Sequence, residues 1–478
     1  MSTFSFAWMR FALGVLALPL FAAPGGAWAD AGRAIPDRDV MDIDAMAARI
    51  PIYQDLYKKT RDEALACSAK THPNDATDPA VRMFTRAEVY MTLWGDFYGE
   101  DVFRHTGAYL AAVNPQDARD GTDPLLTFYS QESIYGDSHP GQEDQTQMVI
   151  RTTEEMGASD YPAVMKLDAY SWAISVLVKY KTQENVPMPS ASLAQLPALM
   201  DKWRALYGTM VAAKLPHPFL FGRAQFLLCG TQNDEGSLDL AIAEIDRAFN
   251  ENDAANPVKL ALDGDYFTRA AWNARGGGWA NSVSNNGWAV FGQRLNQADT
   301  ILESAYASYP NESEIATTML TVELGQGQGT DRMELWFQRA VKADPNDYSA
   351  YKSKEWYLQP RWFGSVDDIV TFGQQCAATN NWTWKIPMIF PIGVAEASQT
   401  NPEVYQNPQI WDQLVKVYGD YLSKYPKASM YRTNFAKHAY DGGHMDVARE
   451  QFKILGDDWD RGVVNEADHE AIVARLGL

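Results

Sequence analysis

The sequence predicts an all-α protein built from stacked helix pairs, and three observations lead there. Apolar residues recur at three- and four-residue steps through almost the whole chain, the period of a helix with one buried face. No run alternates apolar and polar residues for long between Asn-Gly or Asp-Gly turns, so strand signals are sparse. A pattern of small or apolar, large apolar, small and then helix breaker recurs along the second half of the chain. With 478 residues, 46% of them hydrophobic, there is ample apolar side chain to close a core.

The first element, residues 1–29, has the features of an export leader. Arg10 closes a short basic segment, and Phe11 to Ala23 is an apolar run too short to span a bilayer comfortably. Ala27-Trp28-Ala29 presents small residues at the spacing a signal peptidase accepts, so cleavage is expected after Ala29. A retained signal anchor is the alternative pattern. The leader implies a periplasmic or secreted protein, with no stable membrane insertion of the mature chain.

Residues 30–190 predict an irregular helical region. Met83 to Phe97 and Pro162 to Lys181 have amphipathic spacing. Between them, the insertion 114–147 is rich in Asp, Gly, Gln, Ser and Pro, too polar for a core and long for a connection. Thr182 to Ser192, which holds two prolines, reads as a linker.

Residues 191–478 carry the repeats. Trp288, Phe291, Leu295, Ala298, Leu302, Ala305 and Tyr309 make one continuous stripe. Within it Ala298, Leu302 and Ala305 are followed by Pro310, and Met333, Phe337 and Ala340 are followed by Pro345. Leu414, Tyr418 and Tyr421 precede Pro426; Ala241, Ile245 and Ala248 precede Asp253; Ala448, Phe452 and Leu455 have no breaker. Small residues let two helices approach, and proline stops the helix before the next begins. Pro310 and Pro345 stand 35 residues apart, against a tetratricopeptide period of about 34. Both sit in runs that stop one helix and cap another, Tyr309-Pro310-Asn311-Glu312 and Asp344-Pro345-Asn346-Asp347. The prediction is a tetratricopeptide-like helical-repeat solenoid behind a less regular helical N-terminal part. An irregular helical bundle with coincident spacing meets the same pattern.

Charge and side-chain chemistry exclude several functions. With 41 Lys+Arg against 61 Asp+Glu the net charge is −20, and no basic stripe offsets it, so no nucleic acid partner is expected. Cys67, Cys229 and Cys376 are too far apart for a redox pair or a thiolate zinc site. They read as three buried small hydrophobes; the weaker alternative bridges Cys67 with Cys229. There is no HExxH, no GxSxG, no P-loop and no dinucleotide fingerprint. Among the seven histidines only His438 and His444 lie close together, and they read as surface polarity on a terminal repeat. Asp117, Asp120 and Asp123 lack the ligand spacing of an EF-hand. No metal or cofactor is therefore expected. Paired carboxylates of the glycosidase kind stay open, because sequence does not show which acids converge.

Two stretches carry a resemblance. Ala271-Trp272-Asn273-Ala274-Arg275-Gly276-Gly277-Gly278-Trp279 is followed by helical repeat and then by Leu358-Gln359-Pro360-Arg361-Trp362-Phe363-Gly364-Ser365. This order resembles the bacterial helical family catalogued as domain of unknown function 4034, over roughly residues 199–397, with Phe363 where the family pattern has glycine. The resemblance implies a tetratricopeptide-like fold and no activity. Read physically, Pro360 ends a helix, Ser365 caps the next, and Asp367 and Asp368 put negative charge in its first turn. Trp362 is expected to fold over the joint. The three glycines allow backbone conformations closed to other residues, and Arg275 has donors for nearby carbonyls or a carboxylate. Two readings follow. Trp272, Arg275, Trp279 and Trp362 brace a helix junction, or Trp272, Arg275, Trp279, Trp288, Arg361 and Trp362 offer aromatic faces and cations to a ligand.

Two classes of function remain. The principal expectation is an exported module that binds a protein or peptide on the concave face of stacked helices. The alternative is an all-helical envelope protein that binds or processes glycans. It is motivated by eight of the 15 tryptophans falling between Trp272 and Trp384.

Overall fold

A computed structural model describes residues 51–71, 85, 86, 89, 123–128, 142–182, 190–426 and 428–478. The leader, nearly all of the helix predicted over Met83 to Phe97, much of the insertion 114–147 and most of the linker lie outside the described residues. Among the described residues the regular elements are helices, and no strand occurs. The chain divides into two compact units, one ending at Gln326 and one beginning at Gly327.

The first unit contains α1 (Gln54–Thr71), α2 (Gln142–Ala158), α3 (Ala163–Lys181), α4 (Leu196–Ala212), α5 (His217–Thr231), α6 (Glu235–Asn252), α7 (Pro257–Arg275), α8 (Asn285–Ser308) and α9 (Ser313–Gln326). Helix α3 starts behind Pro162, as the sequence predicts, and is apolar nearly all round. It is therefore a central helix, packed against α2, α4 and α5. Helices on both sides of the predicted linker thus share one core. At the linker's end Ser192 is buried and bonded to Thr146 Oγ at 2.9 Å and to the Gln147 amide at 2.7 Å.

Helix α4 contributes Trp203 and Tyr207, both fully buried and stacked with centroids 4.7 Å apart. Their polar tips are satisfied: Trp203 Nε1 donates to Ser171 Oγ at 2.8 Å, and Tyr207 Oη to the Leu220 carbonyl at 2.7 Å. Each such aromatic contributes about 1.5–3 kcal/mol by leaving water. Asp234 caps α6 by accepting from the Ser237 amide, and Asn256 caps α7, whose first residue is Pro257. Helices α7 and α8 pack along each other as a pair, and both touch α9.

The second unit contains α10 (Thr330–Ala343), α11 (Tyr348–Tyr357), α12 (Val366–Ala378), α13 (Ile389–Thr400), α14 (Pro408–Lys424), α15 (Ser429–Asp441), α16 (Met445–Leu455) and α17 (Glu466–Leu476). Phe390, Val394, Leu414, Tyr418 and Phe435 form one apolar core of α13–α15. Ala436, Ala439, Ala448, Phe452, Trp459 and Ile472 form another at the C-terminal end. Asp347 and Ser365 cap α11 and α12 through their side chains, as the sequence predicts for Ser365.

The three spaced positions of all five repeat-like segments, Ala241 through Leu455, are buried. Two expectations need correction. Leu125, Leu126 and Phe128 are buried although they lie in the insertion that was expected to be too polar for a core; a short apolar run is enough to dock a polar segment. His438 is buried beside Tyr418 rather than exposed, and His444 stacks on Trp411 at 3.6 Å.

Candidate functional site

Within the first unit the candidate residues gather at the elbow joining α7 to α8. Helix α7 ends because Gly276 adopts φ +77°, a conformation costly for residues with a Cβ, and its N–H closes on the Trp272 and Asn273 carbonyls at 2.9 and 3.1 Å. A single 3-10 turn, Ala280–Ser282, crosses to Ser284, whose hydroxyl accepts from the Gly287 amide at 3.0 Å and starts α8. Arg275 ties the elbow together: its Nη1 donates to the Gly276 and Gly278 carbonyls at 3.0 and 3.1 Å. The guanidinium lies 5.5 Å from the Trp272 ring and 5.4 Å from the Trp288 ring, within cation–π range of both. Partial burial lowers the Arg275 pKa from its ordinary value, yet a guanidinium stays charged.

The three indoles of this elbow differ in exposure. Trp272 is buried, with its ring edge-on to Phe291 at 5.0 Å. Trp288 meets Phe291 at 5.7 Å and is 39% exposed; Trp279 is 79% exposed. Among the described residues Arg275 forms no ion pair, and its Nε and Nη2 make no hydrogen bond. The elbow therefore presents a cation with free donors beside two accessible aromatic faces. That combination can take carbonyl or carboxylate oxygens together with a flat apolar group.

Arg361 and Trp362 belong to the second unit, where the same residue types are embedded differently. Arg361 lies 4.3 Å over the Trp356 ring. Its Nε donates to Gln359 Oε1 at 2.6 Å and its Nη2 to Glu396 Oε2 at 3.2 Å. Gln359 continues the chain by donating to Glu355 Oε1 at 3.2 Å, and Lys352 Nζ reaches Glu355 Oε2 at 2.7 Å. Glu355 is fully buried. Burial first, and then the neighbouring Glu355 charge, push the Glu396 carboxyl up to about 7, against the opposing pull of Lys352 and Arg361. Trp362 is partly buried over the turn between α11 and α12. This arrangement holds two carboxyl groups and a guanidinium in a mutually bonded cluster, with Arg361 as its outward edge.

Sequence reasoning missed Lys352, Glu355 and Glu396. The i,i+3 spacing of Lys352 and Glu355 was a legible helix pair, but Glu396 comes from another helix and no local signal announces it. Sequence also could not tell that Asp123 is buried as a cap, accepting from the Leu125 amide at 2.9 Å and from Tyr161 Oη at 2.9 Å. All three cysteines are free thiols, so Cys67 and Cys229 are not bridged. Among the described residues no group of three or more His, Cys, Asp or Glu side chains could hold a metal ion, and no helix is long and apolar enough to cross a membrane. An open depression of about 740 Å³ in the second unit is lined by Glu403, Gln406, Asn407, Pro408 and Gln409, none of them a sequence candidate. No family model, curated protein or solved structure matches the chain.

Proposed function

We propose that this chain is an exported, tetratricopeptide-like binding protein of the bacterial envelope, and that the α7–α8 elbow docks a segment of a protein or peptide partner. The observation that carries the reading is Trp279, 79% exposed on an elbow that Arg275 stiffens from within. An exposed indole on a braced loop loses little conformational entropy on binding, and Trp and Arg are the residues most often dominant at interfaces. The repeat architecture is supported by next-but-one packing. In the first unit α3 touches α5, α4 touches α6, α5 touches α7 and α7 touches α9; in the second, α11 touches α13. Stacked helix pairs produce that succession, and their exposed faces commonly serve recognition. The leader at residues 1–29 supports export, and the resemblance over residues 199–397 supports the repeat fold. The net charge of −20 favours a neutral or basic partner overall, with any acidic group of that partner placed at Arg275.

The test is a photoactivatable residue at position 281, exposed two residues from Trp279, with position 454 as an exposed control, in cells that export the protein. A discrete adduct with the same protein from 281 and not from 454, reduced by Arg275→Ala and by Trp279→Ala, is the expected result. Equal labelling from both positions would remove the proposal.

A second reading, glycan binding, rests on the same exposed indole, since sugar rings also stack on Trp faces. It predicts retention of the purified chain on envelope glycans that falls in a folded Trp279→Ala variant. Unchanged retention would eliminate it.

A further inference from the structure

From Tyr266 to Ala298 the chain carries three arginines and no Asp or Glu, although the sequence as a whole holds 61 acids. Two of these arginines meet acids from outside the stretch. Arg269 Nε donates to Asp265 Oδ2 at 2.7 Å, and Arg294 pairs with Glu235. Arg275 is the third, and among the described residues it forms no ion pair. The α7–α8 elbow is thus a place of positive charge in a chain whose net charge is −20.

A guanidinium is a flat fork in which Nε–H and one Nη2–H lie parallel along the same edge. Nη1, off that edge, is the nitrogen that Arg275 uses on the Gly276 and Gly278 carbonyls, at 3.0 and 3.1 Å. The open edge is therefore the one that meets both oxygens of a carboxylate through two parallel bonds. The Trp272 and Trp288 rings, 5.5 and 5.4 Å from the guanidinium, hold it in place. The first turn of α8 lies against the end of α7: a Cβ added at Gly287 would stand 2.9 Å from the Ala274 carbonyl oxygen. That turn brings the positive end of a helix dipole to the same elbow. Asn285 and Asn286 are exposed on it, and side-chain amides match the N–H and C=O groups of a passing chain. No Lys, Arg or His occurs from Gly276 to Gln293. The elbow thus offers one positive charge, a match for a carboxylate rather than for a phosphate group of about −1.5 to −2.

Given a protein or peptide partner at this elbow, as proposed above, we infer that the elbow recognises one acidic residue of that partner. Its carboxylate is held side-on by Nε and Nη2 of Arg275, while an adjoining proline or aromatic ring of the same segment lies on Trp279. An internal Asp or Glu fits better than a chain terminus, because the elbow is open: Trp279 is 79% exposed, and a bound chain can run on in both directions. The net charge of −20 repels a run of acids, so the segment carries a single acid among neutral or basic residues.

The test is selection of random phage-displayed peptides on the purified full chain, followed by binding of the enriched peptides in solution. The expected result is enrichment of peptides with one Asp or Glu beside a proline or aromatic residue. Replacing that acid by its amide should weaken binding about tenfold or more. Arg275→Lys, which keeps the charge and loses the fork, should weaken the acidic peptide about tenfold and leave the amide peptide nearly unchanged. Equal weakening of both peptides by Arg275→Lys would leave that residue a brace alone and overturn the inference. Tighter binding of a peptide with phosphoserine in place of the acid would overturn it too. Enriched peptides that depend on Trp279 but carry no acid would also overturn it, while leaving the elbow a peptide site. If no enriched peptide loses affinity for Trp279→Ala, the peptide-binding reading of the elbow falls, and the carboxylate with it.

Discussion

At the α7–α8 elbow Arg275 lies between two indoles and donates to two carbonyls of its own loop, with Nε and Nη2 unused. After α11, Arg361 lies over one indole and donates to Gln359 and to Glu396. Both arginines sit in Trp- and Gly-rich motifs that look alike as sequence. What separates them is a carboxylate brought in from elsewhere in the fold. Glu396 answers Arg361, whereas no acid answers Arg275 among the described residues. A guanidinium with its charge already matched stabilises a turn; one with donors still open can also meet a ligand. The lesson is that a cation beside aromatic rings becomes a binding candidate only when the fold leaves its charge unmatched.

The largest effect expected of that comparison is at the glycines. An added Cβ at Gly364 would stand 2.2 Å from the Leu358 carbonyl oxygen and 2.6 Å from its carbonyl carbon, both backbone atoms that cannot step aside. Gly364→Ala should therefore cost about 3 kcal/mol or more, read as a lower midpoint in urea unfolding of the full chain. A loss under about 1 kcal/mol would show that the turn after α11 is looser than the cluster around Arg361 implies.

Next comes the pH dependence of that cluster. The Glu396 carboxyl is at about 7 in the fold, against 4.5 ordinarily. Between those values the folded state holds more protons than the unfolded one, so stability is greatest below the lower value and declines as pH rises through the upper. The full swing is roughly 3 kcal/mol. Glu396→Gln should flatten the profile measured by unfolding between about pH 5 and pH 8. Arg361→Gln removes a cation and should extend the decline to higher pH. A Glu396→Gln profile parallel to that of the natural protein would break the account of the second cluster.

The elbow of the first unit should respond more mildly. Beyond its chain neighbours no atom lies within 4 Å of a Cβ added at Gly276, so Gly276→Ala costs only the strain of φ +77° with ψ 172°, about 1–3 kcal/mol. Arg275→Ala loses two carbonyl bonds and its place between the rings, about 1 kcal/mol. Trp279→Ala should change stability by less than about 0.5 kcal/mol, checked by thermal unfolding, while abolishing the adduct formed at the elbow. If Trp279→Ala destabilised as strongly as Gly364→Ala, the elbow would be a structural joint like the turn after α11.

Helical periodicity was legible throughout the described chain because burial on one face imposes it residue by residue. Leu295, Ala298, Leu302 and Ala305 are all sealed, and the stops at Pro310 and Pro345 fall between helices. The Ser365 cap and the helix after Pro162 were legible for the same local reason. His438 was not, since its burial against Tyr418 depends on a neighbouring helix. Nor were Leu125 and Phe128, whose apolar side chains are few within a polar segment.

By itself, then, the sequence determined that this chain is helical, where many of its helices stop, and which faces they bury. Those are near-neighbour properties, decided by spacing, capping hydroxyls and carboxylates, and proline geometry. The tertiary structure alone decided which acid and which amide meet which arginine, and which indole stays in water. Glu396 lies 35 residues from Arg361, and Gln232 lies 37 from Arg269. Electrostatic partnership at such separations depends on distance in space and on the exclusion of water, neither of which is written in local order.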